Sequence, residues 1–425
     1  MKMKDSGVEW IGEIPEDWEM KKVRYFLKEV SEKKHPNEQV LSLYRDYGVI
    51  PKDSRDDNHN VTSSDTSGYK FVEVGNLVIN KMKAWQGSLA ISNFQGIISP
   101  AYFIYRILDS RIDLRFLHYA LRNPAYKQEY MRISSGLRVG QWDLNKEEFK
   151  NLFYTFPEQK EQQKIADFLD SKIALIDQII ADTKRSIEEL KAYKQSLITE
   201  TVTKGLDPSV PMKDSGVEWI GEIPEGWKVR KAKYFGNVRN GLTYKPEQLV
   251  DEKEGILILR SGNIQDGKLS FEDNQYVAGE IQKNLMVKND DILITSRNGS
   301  AKLIGKSAII NNNIQATFGA FMMLFTPNQT VNAQYFCYLL NSNGFDFYRG
   351  LFSSSTINQL TRKTFNNMSF PYPKKEIQKE IVLFLDERIK KLDDIIKDKN
   401  LVISENESYK KSLIYEYVTG KKQVN

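Results

Sequence analysis

The side chains best suited to recognition chemistry fall in two groups. In the first half of the chain Asn80, Lys81, Lys83 and Gln86 follow an apolar run, and Arg138 and Gln141 occupy a later Ser/Gly-rich stretch. In the second half Arg260 and Asn263 come first, then Ser296, Arg297 and Asn298, then Asn358, Gln359 and Arg362. Arg and Lys can pair with guanine edges and Asn and Gln with adenine edges, while Lys and Ser suit phosphate oxygens. Any one of these residues would serve equally well at a solvated turn. Trp85 and Trp142, which lie among them, could simply be core. The grouping on predicted loops carries the signal.

Motifs that would make the chain an enzyme fail on spacing. Gly299, Gly305, Lys306 and Ser307 are arranged like a phosphate-binding loop, but five residues separate the glycines where four are required. A strand-like Ala308-Ile309-Ile310 follows instead of a helix, so a turn between strands is the better reading. Asn123-Pro124-Ala125-Tyr126 lacks the second proline of an amino-methyltransferase signature and suits the end of a helix. Glu158 and Lys160 have the spacing of a nuclease pair, yet Lys374 stands where the second half should repeat Glu158. His35, His59 and His118 are scattered without metal-ligand spacing. The residues therefore predict no catalytic constellation, no metal and no cofactor held by this chain.

The elements that must position these groups come in two copies. Met3–Trp18 reads MKDSGVEWIGEIPEDW and Met212–Trp227 reads MKDSGVEWIGEIPEGW. Pro157–Thr203 and Pro373–Thr419 form a second repeated pair, and the segments between them barely resemble each other. Residues 19–157 carry 21 Lys+Arg against 16 Asp+Glu, a balance of +5, and residues 228–371 carry 17 against 11, a balance of +6. The net charge of the whole chain is +5, so the repeated ends sum to 5 − 11 = −6. Basic variable parts on an acidic constant frame suit a polyanion partner for the former and protein partners for the latter.

The constant frame reads as two long helices. Leu169, Ile173, Ile176, Ile180, Thr183, Ile187, Leu190, Lys194 and Leu197 fall at alternating spacings of four and three, as do Leu385, Ile389, Leu392, Ile396, Lys399, Ile403, Asn406, Lys410 and Leu413. Such heptad seams predict that the two helices pair with each other, antiparallel if the second half repeats the first by a pseudo-two-fold, with Lys399, Asn406 and Lys410 available to fix register. Pro157 and Pro373 suit helix starts, and Gly205 and Gly420 suit helix ends. Each helix should run about 45 residues, roughly 70 Å. The variable parts predict strands over 69–80, 97–107, 255–260, 291–296 and 307–310, helices over 114–122 and 333–340, and loops over 133–143 and 351–359. The expected fold is α+β: two mixed α/β domains, two long antiparallel helices and a pseudo-two-fold repeat. The expected boundaries are 1–157, 158–211, 212–372 and 373–425. A single cysteine and the lack of a long apolar run predict a cytoplasmic protein with no membrane segment.

Taken together, the MKDSGVEWIGEIPE-x-W opening, the Val-Gly-Asn-Leu-Val-Ile-Asn-Lys run at 74–81 and the Phe-Pro-Glu-Gln-Lys-Glu-Gln helix start at 156–162 resemble the specificity subunit of a type I restriction–modification enzyme. The resemblance covers both halves. The second helix start, Tyr372-Pro373-Lys374-Lys375, departs from the usual Glu-Gln pair and puts exact symmetry of partner contacts in doubt. It implies two target recognition domains, each reading one part of a bipartite asymmetric DNA site, with helices that set the gap. It also implies two methyltransferase subunits that use S-adenosylmethionine, and restriction subunits that use ATP and Mg2+. That chemistry would belong to the partners. A coiled-coil scaffold with basic domains that bind protein or RNA is the alternative reading of the same residues.

Overall fold

The computed structural model describes residues 2–45, 47–55, 62, 65–138, 141–311, 313–349 and 359–424, and only the backbone of Leu137, Arg138, Gln141 and Arg349. The chain divides into two compact units. Met1–Lys184 with Asn400–Asn425 forms the first, and Arg185–Lys399 forms the second. The expected boundaries treated the long helices as separate bodies. The units instead cut through both helices, because each helix half buries its seam within a different unit.

Helices are numbered along the chain: α1 (Val23–Phe26), α2 (Leu114–Arg122), α3 (Pro124–Arg132), α4 (Lys146–Asn151), α5 (Gln159–Lys204), α6 (Ala333–Leu340), α7 (Gly344–Arg349), α8 (Arg362–Asn367) and α9 (Lys375–Val418). In the first unit an antiparallel four-stranded sheet runs in the order Leu27–Val30, Tyr102–Ile107, Leu77–Asn80, Leu89–Ile91. In the second unit the same order appears as Gly236–Asn240, Met322–Pro327, Ile292–Thr295, Ser307–Ile309. The expected strand over 69–80 breaks into Lys70–Val72 and Leu77–Asn80. Gly75, at φ +88°, makes the turn, a conformation that a residue with a Cβ rarely adopts.

Helices α2 and α6 have the expected ends. Asp113 caps α2 by accepting from Arg115 N and Phe116 N, and Asn332 caps α6 by accepting from Tyr335 N. Asn123 ends α2 and caps α3, with Pro124 at its first turn, so Asn-Pro-Ala-Tyr is a helix junction. Between Gly299 and Ser307 lie a short 3-10 turn and the start of a strand, as the failed phosphate-loop spacing predicts. The stretch 133–143 does not stay a loop. Ser134–Arg138 and Gln141–Leu144 pair as an antiparallel hairpin.

The long helices span 46 and 44 residues. In the first unit Phe168 packs on Tyr417 at 4.6 Å between ring centroids, and Lys410 donates to Asp177 at 2.6 Å. In the second, Lys194 donates to Asp393 at 2.5 Å. Within the first unit, as α5 advances from Phe168 to Asp177, α9 retreats from Tyr417 to Lys410, so the pairing there is antiparallel. Leu169, Ile173, Ile176, Ile180, Ile187, Leu385, Ile389, Leu392 and Leu413 are buried, and Leu190, Ile396 and Ile403 are half-buried. Burying one such side chain contributes about 1.5–3 kcal/mol, against at most about 1 kcal/mol for an exposed ion pair. The apolar seam therefore holds the helices and fixes their register, and the ion pairs add little to it.

The repeated sixteen-residue segments close the ends of these helices. Gly420 (φ +70°) packs against Pro15 and Trp18, and Gly205 (φ +81°) packs against Pro224 and Trp227. No helix among the described residues is long and apolar enough to cross a membrane.

Candidate nucleic-acid interface

In the second unit three of the predicted residues line one open cleft of about 1000 Å3. Arg260, Arg297 and Asn298 line it, together with Tyr244, Leu249, Asp273 and Phe321. Three local structures build the lip. The end of strand Ile256–Leu259 supplies Arg260, whose guanidinium reaches Asp273 at 3.1 Å. The end of strand Ile292–Thr295 supplies Ser296 to Asn298, and Asn298 Nδ2 donates to Ser261 Oγ at 3.3 Å. The turn before strand Met322–Pro327 exposes Phe321, 59 % accessible, with Arg297 stacked at 5.3 Å from its ring centroid. Gln359 joins the same edge through a bridge to Arg297.

A guanidinium held on an aromatic face keeps its outer N–H groups free to donate in the ring plane, the fork that pairs with two acceptors on a purine edge.

Two predicted members of the group serve the fold instead. Asn263 is fully buried: its Oδ1 accepts from Arg260 N at 2.9 Å and its Nδ2 donates to Ser270 O at 3.1 Å. It shapes the turn that presents Arg260 and cannot itself reach a ligand. Ser296 is buried, with its backbone tied to Phe321 and Leu360. Arg362 is exposed at the start of α8 and donates to Asn237 Oδ1 at 3.3 Å, without lining the cleft. Asn358 lies outside the described residues.

The first unit assembles its group differently. Asn80 Oδ1 accepts from Met82 N at 3.1 Å, a local turn that orients the loop before Trp85. Lys81 pairs with Asp143 at 3.0 Å, the Trp85 and Trp142 rings lie 5.1 Å apart, and Leu144 N donates to Lys81 O. The 80–86 loop is thereby fastened to the 134–144 hairpin, so two stretches grouped only by composition become one surface. Lys83 is exposed and Gln86 half-buried on it. Arg138 and Gln141 are in the hairpin backbone, and their side chains lie outside the described set.

Sequence reasoning missed the parts that carry these surfaces on the long helices. Gln162 Oε1 accepts from Asp113 N at 2.8 Å while its Nε2 donates to Pro157 O at 2.9 Å. Gln378 repeats both bonds, to Asn332 N at 2.8 Å and Pro373 O at 2.9 Å. Tyr119 donates to Asp170 at 2.5 Å, and Tyr338 bonds Asp386 in the same way. The signal was present: Gln162 and Gln378 each lie five residues after the repeated proline.

Two unlike polar surfaces, each clamped in the same way to a repeated frame, define a two-headed recognition protein. The model of the type I restriction modification DNA specificity domain matches residues 15–189 and 224–405. The chain belongs to this family. It is 26% identical over 432 residues to the type I restriction enzyme MjaVIII specificity subunit of Methanocaldococcus jannaschii, covering 97% of this chain and 94% of that one. Among solved structures, a chain from work on complex assembly and conformational transition of the type I R-M system superimposes with a TM-score of 0.73 at 13% identity, covering 96% of this chain and 99% of its own length. The HsdS subunit from Thermoanaerobacter tengcongensis gives a TM-score of 0.52 at 13% identity, with 96% and 98% covered.

Proposed function

We propose that this chain supplies the DNA sequence specificity of a type I restriction–modification complex, and that each unit reads one part of a bipartite, asymmetric duplex site. The observation that carries the reading is the pairing of identical attachments with unlike surfaces: Gln162 and Gln378 make the same two bonds, while the reading edges share neither residues nor construction. In the second unit the Arg260, Arg297 and Asn298 lip reads bases, with Phe321 as the apolar surface beside them. In the first unit the 80–86 loop and the 134–144 hairpin do so. Helices α5 and α9 set the gap of unread bases, and two methyltransferase subunits dock on them. Methylation of adenine from S-adenosylmethionine, and translocation and cleavage with ATP and Mg2+, belong to the modification and restriction subunits. The chain itself acts in the cytoplasm and catalyses nothing.

The deciding experiment maps methylated adenine across the genome in cells that carry a modification subunit, with and without this chain. A bipartite motif that vanishes with the chain is the expected outcome. Identical maps, combined with no sequence preference of the assembled complex for any duplex, would sink the reading and favour a protein- or RNA-binding scaffold. The ruler has its own test. Deleting one heptad from both helices should change the gap and leave both half-sequences intact.

A further inference from the structure

The reading loop of the first unit borders a group of lysines that sequence reasoning did not single out. Lys70 lies at the start of strand Lys70–Val72 and Lys33 bridges to it across the sheet edge. The Lys146 ammonium lies 4.7 Å from the centroid of the Phe103 ring and that of Lys70 lies 5.9 Å from the same centroid. The two charges are therefore no farther apart than the sum of those distances. Lys70 donates to Tyr102 O at 2.6 Å, and the hydroxyl of Tyr102 is in turn met by Asn80 Nδ2 at 3.5 Å. The lysine group thus abuts the start of the 80–86 loop.

We propose that Lys33, Lys70 and Lys146 form a phosphate clamp that holds the DNA backbone in register against the first unit's reading loop. The proposal rests on the reading of this unit as a duplex-DNA reader and adds the residues that would fix its position.

Charge balance favours an anion here. The acids at hand are already engaged, Glu29 with Lys146 at 2.7 Å and Asp143 with Lys81 at 3.0 Å. Among the described residues neither Lys33 nor Lys70 has an ion pair, while Glu29 and Asp143 are each matched by a lysine of their own. Donor count points the same way. An ammonium has three N–H groups, and Lys70 uses one of them on Tyr102 O while half-buried, which leaves donors that need an acceptor. The Phe103 ring supports the cationic side chains from beneath through cation–π contact, an arrangement that holds them without neutralising them. Burial, and behind it the charges of Lys146, Lys33 and Lys81, holds the Lys70 ammonium below its usual pKa despite the opposing pull of Glu29. A phosphate oxygen would relieve that repulsion.

Phosphate contacts weaken binding with added salt and carry no base identity, and this separates the clamp from the reading residues. The test measures affinity against salt for the chain assembled with its modification subunit, on a duplex with the mapped target and on one without it. Each lost phosphate contact should flatten the slope of log affinity against log salt by about 0.9, so the triple variant K33Q/K70Q/K146Q should lose between about 2 and 3 on both duplexes. Its methylation motif should keep both half-sequences. The triple arginine variant should retain the wild-type slope. A wild-type slope in the glutamine variant would overturn the clamp, as would a loss confined to one base pattern. An arginine variant as impaired as the glutamine one would do so too, by showing that packing rather than charge matters. Failure of the parent reading looks different, since the wild-type complex would then show no preference for the target duplex at all.

Discussion

The two units share one central sheet, one helix cap and one clamp, and then part company. Behind the first sheet lie two small antiparallel pairs, Lys70–Val72 with Gly96–Ile98 and Leu41–Tyr44 with Gly48–Pro51. In the second unit the corresponding layer is a four-stranded sheet that includes a parallel pair, Ile256–Leu259 with Ala316–Phe318. The consequence is chemical. The second layer in the second unit brings strand ends together around an open cleft, and its reading residues sit on the rim. The first unit has a loop fastened to a hairpin, with lysines beside it. What stays constant is what touches the long helices. A frame that must hold fixed geometry tolerates little change, whereas a reading surface can be rebuilt if the attachment below it is kept.

The largest effect should come from breaking that attachment. Gln162→Leu removes an acceptor from the backbone N–H of Asp113 and a donor from Pro157 O, both in a buried setting. Leaving each group unpaired costs about 1–3 kcal/mol, so the loss should be about 2–6 kcal/mol. Gln378→Leu should cost at least as much in the second unit, where Gln378 Nε2 also donates to Thr330 O at 3.3 Å. Hydrogen exchange on α2 and α6 would read the two losses separately, and a clearly smaller loss in the second unit would break the equivalence of the clamps.

A titration should separate the units next. His118 on α2 and Cys337 on α6 both lie five residues after their caps, Asp113 and Asn332; Cys337 is buried and His118 half-buried. Burial, aided by the Arg122 charge and opposed by Asp170, pushes the His118 imidazole down to about 4. Burial pushes the Cys337 thiol up to about 12. A depressed folded pKa means that the unfolded chain binds the proton more readily between the two values. Stability of the first unit should therefore be full above about pH 6.5 and fall as the pH drops toward 4, by roughly 3 kcal/mol at 1.36 kcal/mol per pKa unit. His118→Asn should remove this step, and the second unit should lack it over the same range. Exchange rates on α2 that do not respond to pH beyond the chemical exchange rate would refute the account.

These contrasts show where the sequence could and could not be read. Helices α2 and α6 were legible because Asp113 and Asn332 are strong caps ahead of compact apolar faces. The long helices were legible because a heptad seam repeats a local rule. The hairpin at 134–144 was not, since Gly136, Gly140 and the serines break the alternation that marks strands. Asn263 was misplaced because an asparagine that clasps a turn and one that reads a base have the same side chain, and only burial tells them apart. The lysine group was invisible because positions 33, 70 and 146 meet only once the sheet has formed.

At the reading edge, Arg297→Ala should relax the half-site read by the second unit by about 1–3 kcal/mol and leave the other half-site unchanged, as a methylation map would record. Equal loss at both half-sites would make Arg297 a phosphate or folding residue instead. Its stacking on Phe321 offers a control. Phe321→Leu keeps an apolar side chain but removes the ring face, so it should reduce the same preference by a smaller amount.

The smallest effects should lie in the helix pairs, and their ranking follows from exposure. Lys410–Asp177 has side chains 31% and 52% accessible, whereas Lys194–Asp393 has 19% and 28%, and Asp393 also accepts from Lys268 at 2.8 Å. Water screens the first pair more, so its coupling in a double-mutant cycle should fall near the bottom of the range of about 0.2–1 kcal/mol for exposed pairs, and the second near the top. Raising the salt concentration should erase more of the first than of the second. If register were set by the ion pairs, reversing both charges of a pair would be neutral and reversing one would shift the helices. The buried seam argues otherwise: each shift would expose several isoleucines and leucines that contribute about 1.5–3 kcal/mol apiece. A single reversal should therefore lower stability slightly and leave the gap between the methylated half-sites as it was.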